Sequence, residues 1–135
     1  MKKGRVAFFA TGNVHKYQEA CNILSKSNLA TAMLNLETTE IQADNIETIA
    51  KTSALEAARK SNLPVFVEDA GLFIKPLNGF PGPYSSYVYR TLHTRGVLKL
   101  MENVRRRDAY FQSAVAFCDP NRHFRVKCFR GKVEG

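Results

Sequence analysis

Two adjacent carboxylates, Glu68 and Asp69, follow the apolar run Val65-Phe66-Val67 and precede Ala70-Gly71-Leu72. A short run of β-branched and aromatic residues reads as a strand buried on both faces. Charges at the end of such a strand are costly unless a metal, a cation or water compensates them. The pair suits Mg²⁺, which takes oxygen ligands and bridges to substrate phosphates. One carboxylate would serve equally as a general base on a water, and a solvated strand end with a turn glycine is the plain alternative. Ligands of open α/β sheets sit beyond the carboxyl ends of the strands, so chemistry is expected at this point.

A second group is Phe8-Phe9-Ala10-Thr11-Gly12-Asn13-Val14-His15-Lys16, in the order strand, tight turn, helix start. Backbone N–H groups at a helix N-terminus suit phosphate, and Lys16 adds a positive charge. Thr11 and Asn13 offer further hydrogen-bonding groups. In the plain reading Asn13 is an N-cap and Lys16 a surface residue. The spacing is not that of a Walker P-loop. Glu40 follows the second strand and Lys51 lies in the second turn of the helix after it. Both are within reach of the same crevice, Glu40 toward metal and Lys51 toward phosphate, though as ordinary surface charges they need no site. The segment Asn78-Gly79-Phe80-Pro81-Gly82-Pro83-Tyr84-Ser85-Ser86 reads as a rigid loop, with Ser85 as cap of the next helix. Such a loop beside a metal site would position a substrate. Arg105-Arg106-Arg107 reads as a solvated loop or an anion site.

The elements that must hold these residues follow from the apolar spacing. Residues 5–10 read as a strand and residues 14–26 as a helix, with Tyr17, Ala20, Cys21 and Leu24 on one face. Residues 30–36 form a second strand. Asn45 caps a second helix whose face is Ile46, Ile49, Ala50, Ala54 and Ala57. The strand after Pro64 is expected to stop at Glu68-Asp69. This β-α-β-α-β order argues for a layered α/β core. A helix follows over residues 85–103, broken near Gly96, and then a hairpin of residues 109–118 and 124–129 that forms a second lobe or extends the sheet.

The chain has 135 residues, 44% of them hydrophobic and 24% charged, as expected of one globular domain. No apolar stretch approaches a membrane span or a signal peptide, which points to the cytoplasm. The three cysteines and three histidines are isolated, with no zinc-site spacing. They read as reduced structural residues. The net charge is +8, and residues 87–135 carry eleven Lys/Arg against four Asp/Glu. That excess fits nucleic acid, a polyphosphate substrate or a solvated face.

Thr11-Gly12-Asn13-x-x-Lys16, Glu68-Asp69-Ala70-Gly71-Leu72 and Leu77-Asn78-Gly79-Phe80-Pro81-Gly82-Pro83-Tyr84-Ser85 occur in order, followed by Phe129-Arg130-Gly131. Together they resemble the inosine triphosphate pyrophosphatase family over essentially the whole chain. The resemblance implies an elongated mixed α/β sheet flanked by helices, with two lobes around a central cleft. Residues 1–135 would form a single domain, 1–86 carrying the triphosphate and metal part and 87–135 a helical segment and hairpin lobe. The implied reaction is Mg²⁺-dependent cleavage of ITP, dITP or XTP to the monophosphate and pyrophosphate. Asp69 would be general base and metal ligand, and Glu40 the second metal-linked carboxylate. Thr11, Gly12, Asn13, Lys16, Lys51 and the backbone of Ala70 would hold the purine nucleoside triphosphate. The family is generally homodimeric.

There are two departures. Ala70 stands where the family usually has a serine or threonine, which implies tuning rather than loss. The Gly-Phe-Gly-Tyr-Asp-Pro and Ser-His-Arg motifs that build the family's base pocket are not in the chain. The C-terminal closing segment is therefore expected to be missing, with apolar surface exposed in its place. Two other readings are a basic nucleic-acid-binding module and a related nucleotide hydrolase of different base selectivity. Nucleic acid is not the expected partner, because the basic residues carry no recognised binding motif or interleaved exposed aromatics.

Overall fold

A computed structural model describes residues 5–39 and 41–135. Its elements are β1 (Arg5–Ala10), α1 (Val14–Ser25), β2 (Leu29–Leu34), α2 (Ile46–Ser61), β3 (Val65–Ile74), β4 (Pro81–Gly82), α3 (Ser85–Leu100), β5 (Ala109–Asp119) and β6 (Arg125–Glu134). They build one open mixed sheet in the order β2-β1-β3-β5-β6, with β4 paired to β3. The α/β class and the helix-flanked mixed sheet are as expected. The hairpin β5–β6 extends this same sheet, antiparallel to β3.

The layering follows from side-chain size. On one face of the sheet, Val65 and Val67 of β3 lie beside Ala114, Ala116 and Cys118 of β5. Helix α2 packs across β3, β5 and β6, and meets them with Ala50, Ala54, Ala57 and Ala58, each at most 1% exposed. Small residues let the helix backbone approach the sheet closely. Helix α1 covers β2 on the opposite face, where Phe9 and Phe66 stack with centroids 4.4 Å apart. Over β5 and β6 that face stays open. Phe111 pairs with Val133 and Val115 with Phe129, and Phe111, Phe129 and Val133 are 58%, 63% and 70% exposed. Among the described residues no helix is long and apolar enough to cross a membrane.

Three local expectations are corrected. Strand β3 does not stop at Glu68-Asp69; it runs on to Ile74 because β5 pairs with it at every position from Val65 to Ile74. Helix α3 breaks at His93 (φ 56°, ψ −178°) and not at Gly96. Gly96 instead provides clearance, since an added Cβ would lie 2.6 Å from Leu92 Cβ. Ser85 does not cap α3. Its Oγ accepts from the Leu72 N–H at 2.8 Å and donates to the Gly82 carbonyl at 2.6 Å, fastening the helix start to β3.

Candidate functional site

The carboxylates owe their setting to a gap in the sheet. The ladder from β1 to β3 ends at Phe9–Phe66, and that from β4 begins at Leu72–Gly82. Between these points, among the described residues, no strand pairs with that edge of β3. Glu68, Asp69, Ala70 and Gly71 border the gap. Backbone groups alternate in direction along a strand. The Leu72 N–H points toward α3 on this edge, so by alternation those of Ala70 and Glu68 point to the same side. The Ala70 N–H donates to Asp69 Oδ1 at 3.0 Å. A β3 that outruns β1 therefore keeps its acidic residues beyond the carboxyl end of the parallel strands, where open α/β sheets bind ligands.

Side chains also alternate, so Glu68 and Asp69 leave opposite faces. Asp69 lies on the α2 side. A cavity of about 720 Å³ opens there, lined among others by Ala10, Ser53, Glu68, Asp69, Tyr87 and Arg90. The segment between β2 and α2 also contributes to its wall. That segment is fixed at Thr39, whose N–H donates to Glu56 Oε2 at 2.8 Å. Lys60 adds an ion pair to Glu56 at 3.0 Å and donates to the Glu37 carbonyl at 2.6 Å. Chiefly through the Thr39 N–H, the Glu56 carboxyl is held below its ordinary range.

Glu68 lies on the α1 side, where Lys16 Nζ meets its Oε2 at 2.8 Å. Lys16 is presented by the first turn of α1. Asn13 caps that helix by accepting from the Lys16 N–H at 3.1 Å, and Thr11 Oγ1 accepts from the Asn13 N–H at 3.1 Å. The Thr11 N–H donates to the Leu34 carbonyl at 3.1 Å, which holds the turn at the end of β1. Thr11, Gly12, Asn13 and Lys16 thus form one structural unit that meets β3 at Glu68.

Lys51 stands apart from the cavity. Lys51 is exposed on α2, and its charge acts on Cys128 of β6, whose thiol is pushed up mainly by burial and pulled down by Lys51 and Arg130. The cavity lining does not include Lys51. Glu40, expected as a metal-linked carboxylate, lies outside the described residues. Among the described residues no cluster of three or more His, Cys, Asp or Glu is poised for a metal. The donors that are present are hard carboxylate oxygens at the gap, which fit Mg²⁺ held by one or two carboxylates with substrate phosphates and water completing the shell.

The arginine run is mostly spent on structure. Arg106 pairs with Asp108 at 2.9 Å, holding that carboxyl below its ordinary range, and Arg107 donates to the Met101 carbonyl at 3.0 Å. The loop read from the sequence contributes Pro83, Tyr84 and Ser86 to the cavity wall, while sequence reasoning missed Tyr87 and Arg90 in the first turns of α3, which also wall it. It also missed Ser113 of β5, whose Oγ donates to Glu68 Oε1 at 2.9 Å. Gln112-Ser113 interrupts an otherwise apolar strand, and that was the available signal.

Comparison with known proteins identifies the family. The model of the Ham1 family matches residues 7–135. The chain is 45% identical over 127 residues to a dITP/XTP pyrophosphatase of Methanopyrus kandleri, covering 94% of this chain and 66% of the relative. It is 48% identical to the dITP/XTP pyrophosphatase of Methanothermobacter marburgensis, with the same coverage. The chain thus spans about two thirds of the length of these curated relatives. Among solved structures, a HAM1 protein from Coxiella burnetii shares the fold at a TM-score of 0.84 and 22% identity, over 97% of this chain and 72% of that one. The Staphylococcus aureus Ham1 protein does so at 0.80 and 23%, over 97% and 71%. With a family match over nearly its whole length and curated relatives above 40% identity, the chain belongs to the Ham1 family.

Proposed function

We propose that this chain is the triphosphate-binding and catalytic part of a pyrophosphohydrolase that cleaves non-standard purine nucleoside triphosphates, ITP, dITP and XTP, to the monophosphate and pyrophosphate. The observation that carries the proposal is the gap in the sheet edge at Glu68–Gly71, flanked by the capped N-terminus of α1 and by a cavity containing Asp69. The names of the relatives, dITP/XTP pyrophosphatase, support the substrate class.

In this reading the triphosphate lies across the gap. Lys16 and the turn Thr11-Gly12-Asn13 take its anionic oxygens on the α1 side, where the helix N-terminus and a cation both favour negative charge. The Ala70 N–H, which donates to Asp69 Oδ1, would turn this hydrogen bond to the bound substrate, a contact that needs no hydroxyl at position 70. Asp69, with a carboxylate facing the cavity, accepts the proton of the attacking water. Lys51 supplies positive charge from α2. Mg²⁺, held by Asp69 and Glu40, would neutralise phosphate oxygens and polarise the bond being broken.

The same proposal includes association. Phe111, Phe129 and Val133 form an exposed apolar face of the kind that marks an interaction surface, and we assign it to a homodimer contact. The cysteines Cys21, Cys118 and Cys128 are unpaired thiols, in keeping with a cytoplasmic location. The test is product analysis by ³¹P NMR after incubation with ITP, dITP, XTP, ATP and GTP, with and without Mg²⁺. Pyrophosphate and monophosphate from the first three, dependent on Mg²⁺, are expected. Orthophosphate in their place would overturn the reading.

A further inference from the structure

Glu68 has no assigned part in the proposed reaction, yet both of its carboxylate oxygens are engaged. Oε1 accepts from Ser113 Oγ at 2.9 Å, and Oε2 meets Lys16 Nζ at 2.8 Å. The Glu68 side chain is 19% exposed and that of Lys16 36%. Ser113 lies opposite Ala70 on β5, on the same face as Glu68 by the period of two. The chain of contacts runs from β5 through β3 to the first turn of α1. A partly exposed ion pair adds little to stability, so its arrangement calls for another explanation.

That explanation lies in the chemistry of lysine. Its ammonium is a compact charge on a flexible four-carbon stem, with three donors. Unrestrained, it would lose rotamer freedom on gripping a phosphate, and that loss weakens binding. Glu68 takes one donor and leaves the others for anionic oxygens. A carboxylate can hold an ammonium in place only if it is itself held, and Ser113 fixes Glu68 by its other oxygen. We infer that Ser113 is a positioning residue: through Glu68 it seats the Lys16 ammonium at the gap in β3, ready for the oxygens of a polyphosphate chain. The inference rests on the reading of this gap as the triphosphate site.

The experiment compares the wild type with S113A and S113T, using ¹³C relaxation at Lys16 Cε without ligand and calorimetric titration with inorganic tripolyphosphate. In S113A, Lys16 Cε becomes mobile and tripolyphosphate binds about three- to tenfold more weakly, the worth of one hydrogen bond. The melting temperature stays close to that of the wild type. S113T keeps the hydroxyl on a β-branched side chain suited to a strand, and restores both order and affinity. A folded S113A with Lys16 as ordered as in the wild type overturns the inference, as does S113T that is no better than S113A. Lys16 order is read with no nucleotide present, so a wild type that releases no pyrophosphate from ITP would count against the reaction and not against this role of Ser113.

Discussion

At the scale of the residue, alternation along β3 divides the labour between two neighbours. Asp69 faces the cavity beside α2, while Glu68 faces α1 and is occupied by Lys16 and Ser113. Glu68 also borders that cavity, but both of its oxygens are engaged, so the proposed reaction gives the proton of the attacking water to Asp69. Asp69→Asn keeps the shape and removes the base. Pyrophosphate release should fall at least about a hundredfold, with an unchanged thermal transition in circular dichroism. Lys16→Met should act differently. It keeps the stem and removes the charge, so the KM for nucleotide should rise about tenfold or more, the range for a charged hydrogen bond, with a smaller effect on kcat. An equal loss in kcat would show that Lys16 acts mainly on the transition state.

At the scale of the element, the site exists because strands differ in length. β1 stops at Ala10, β3 continues to Ile74, and β4 enters only at Leu72. The close approach of β3 and β4 requires a glycine: a Cβ on Gly71 would run into the Gly82 carbonyl. Gly71→Ala should therefore destabilise the protein by about 1–3 kcal/mol, as overpacking does, measured by urea denaturation. The end of the segment after β2 is anchored at Thr39 by Glu56, whose carboxyl is held below its ordinary range first by the Thr39 N–H and then by Lys60. A lowered carboxyl favours the folded arrangement at all pH above the ordinary carboxylate range, and that contribution is lost as pH falls through the lowered value. Amide exchange at Thr39 should accelerate relative to neighbouring amides over that acidic window. Glu56→Gln should remove the pH dependence.

Much of this was legible in the sequence. The strand–turn–helix around Asn13 and the alanine face of α2 follow from local spacing and capping chemistry. The extent of β3 does not, because whether two charges end a strand depends on the partner beside it, here β5, some 45 residues away at the Glu68–Ser113 contact. The gap was illegible for the same reason, being a product of pairing between β1, β3 and β4. The break at His93 was misplaced because Gly96 has low helix propensity, whereas its actual role is to clear Leu92.

At the scale of the whole molecule, one sheet face is covered by α2 and the other only in part by α1. The open face carries Phe111, Phe129 and Val133. Phe129→Asp should shift the protein toward monomer in concentration-dependent light scattering, and a variant with the association of the wild type would remove this face from the contact. The matched relatives are about half as long again as this chain, yet the chain holds the strand gap, the capped turn of α1 and the Asp69 cavity together. The central claim is that these parts suffice to define the chemistry. It is tested most directly by measuring pyrophosphate release from dITP by the wild type and by Asp69→Asn, each with and without Mg²⁺. Release by the wild type with Mg²⁺ alone, and its loss in Asp69→Asn, is the predicted result. Pyrophosphate release by Asp69→Asn at the rate of the wild type would contradict it.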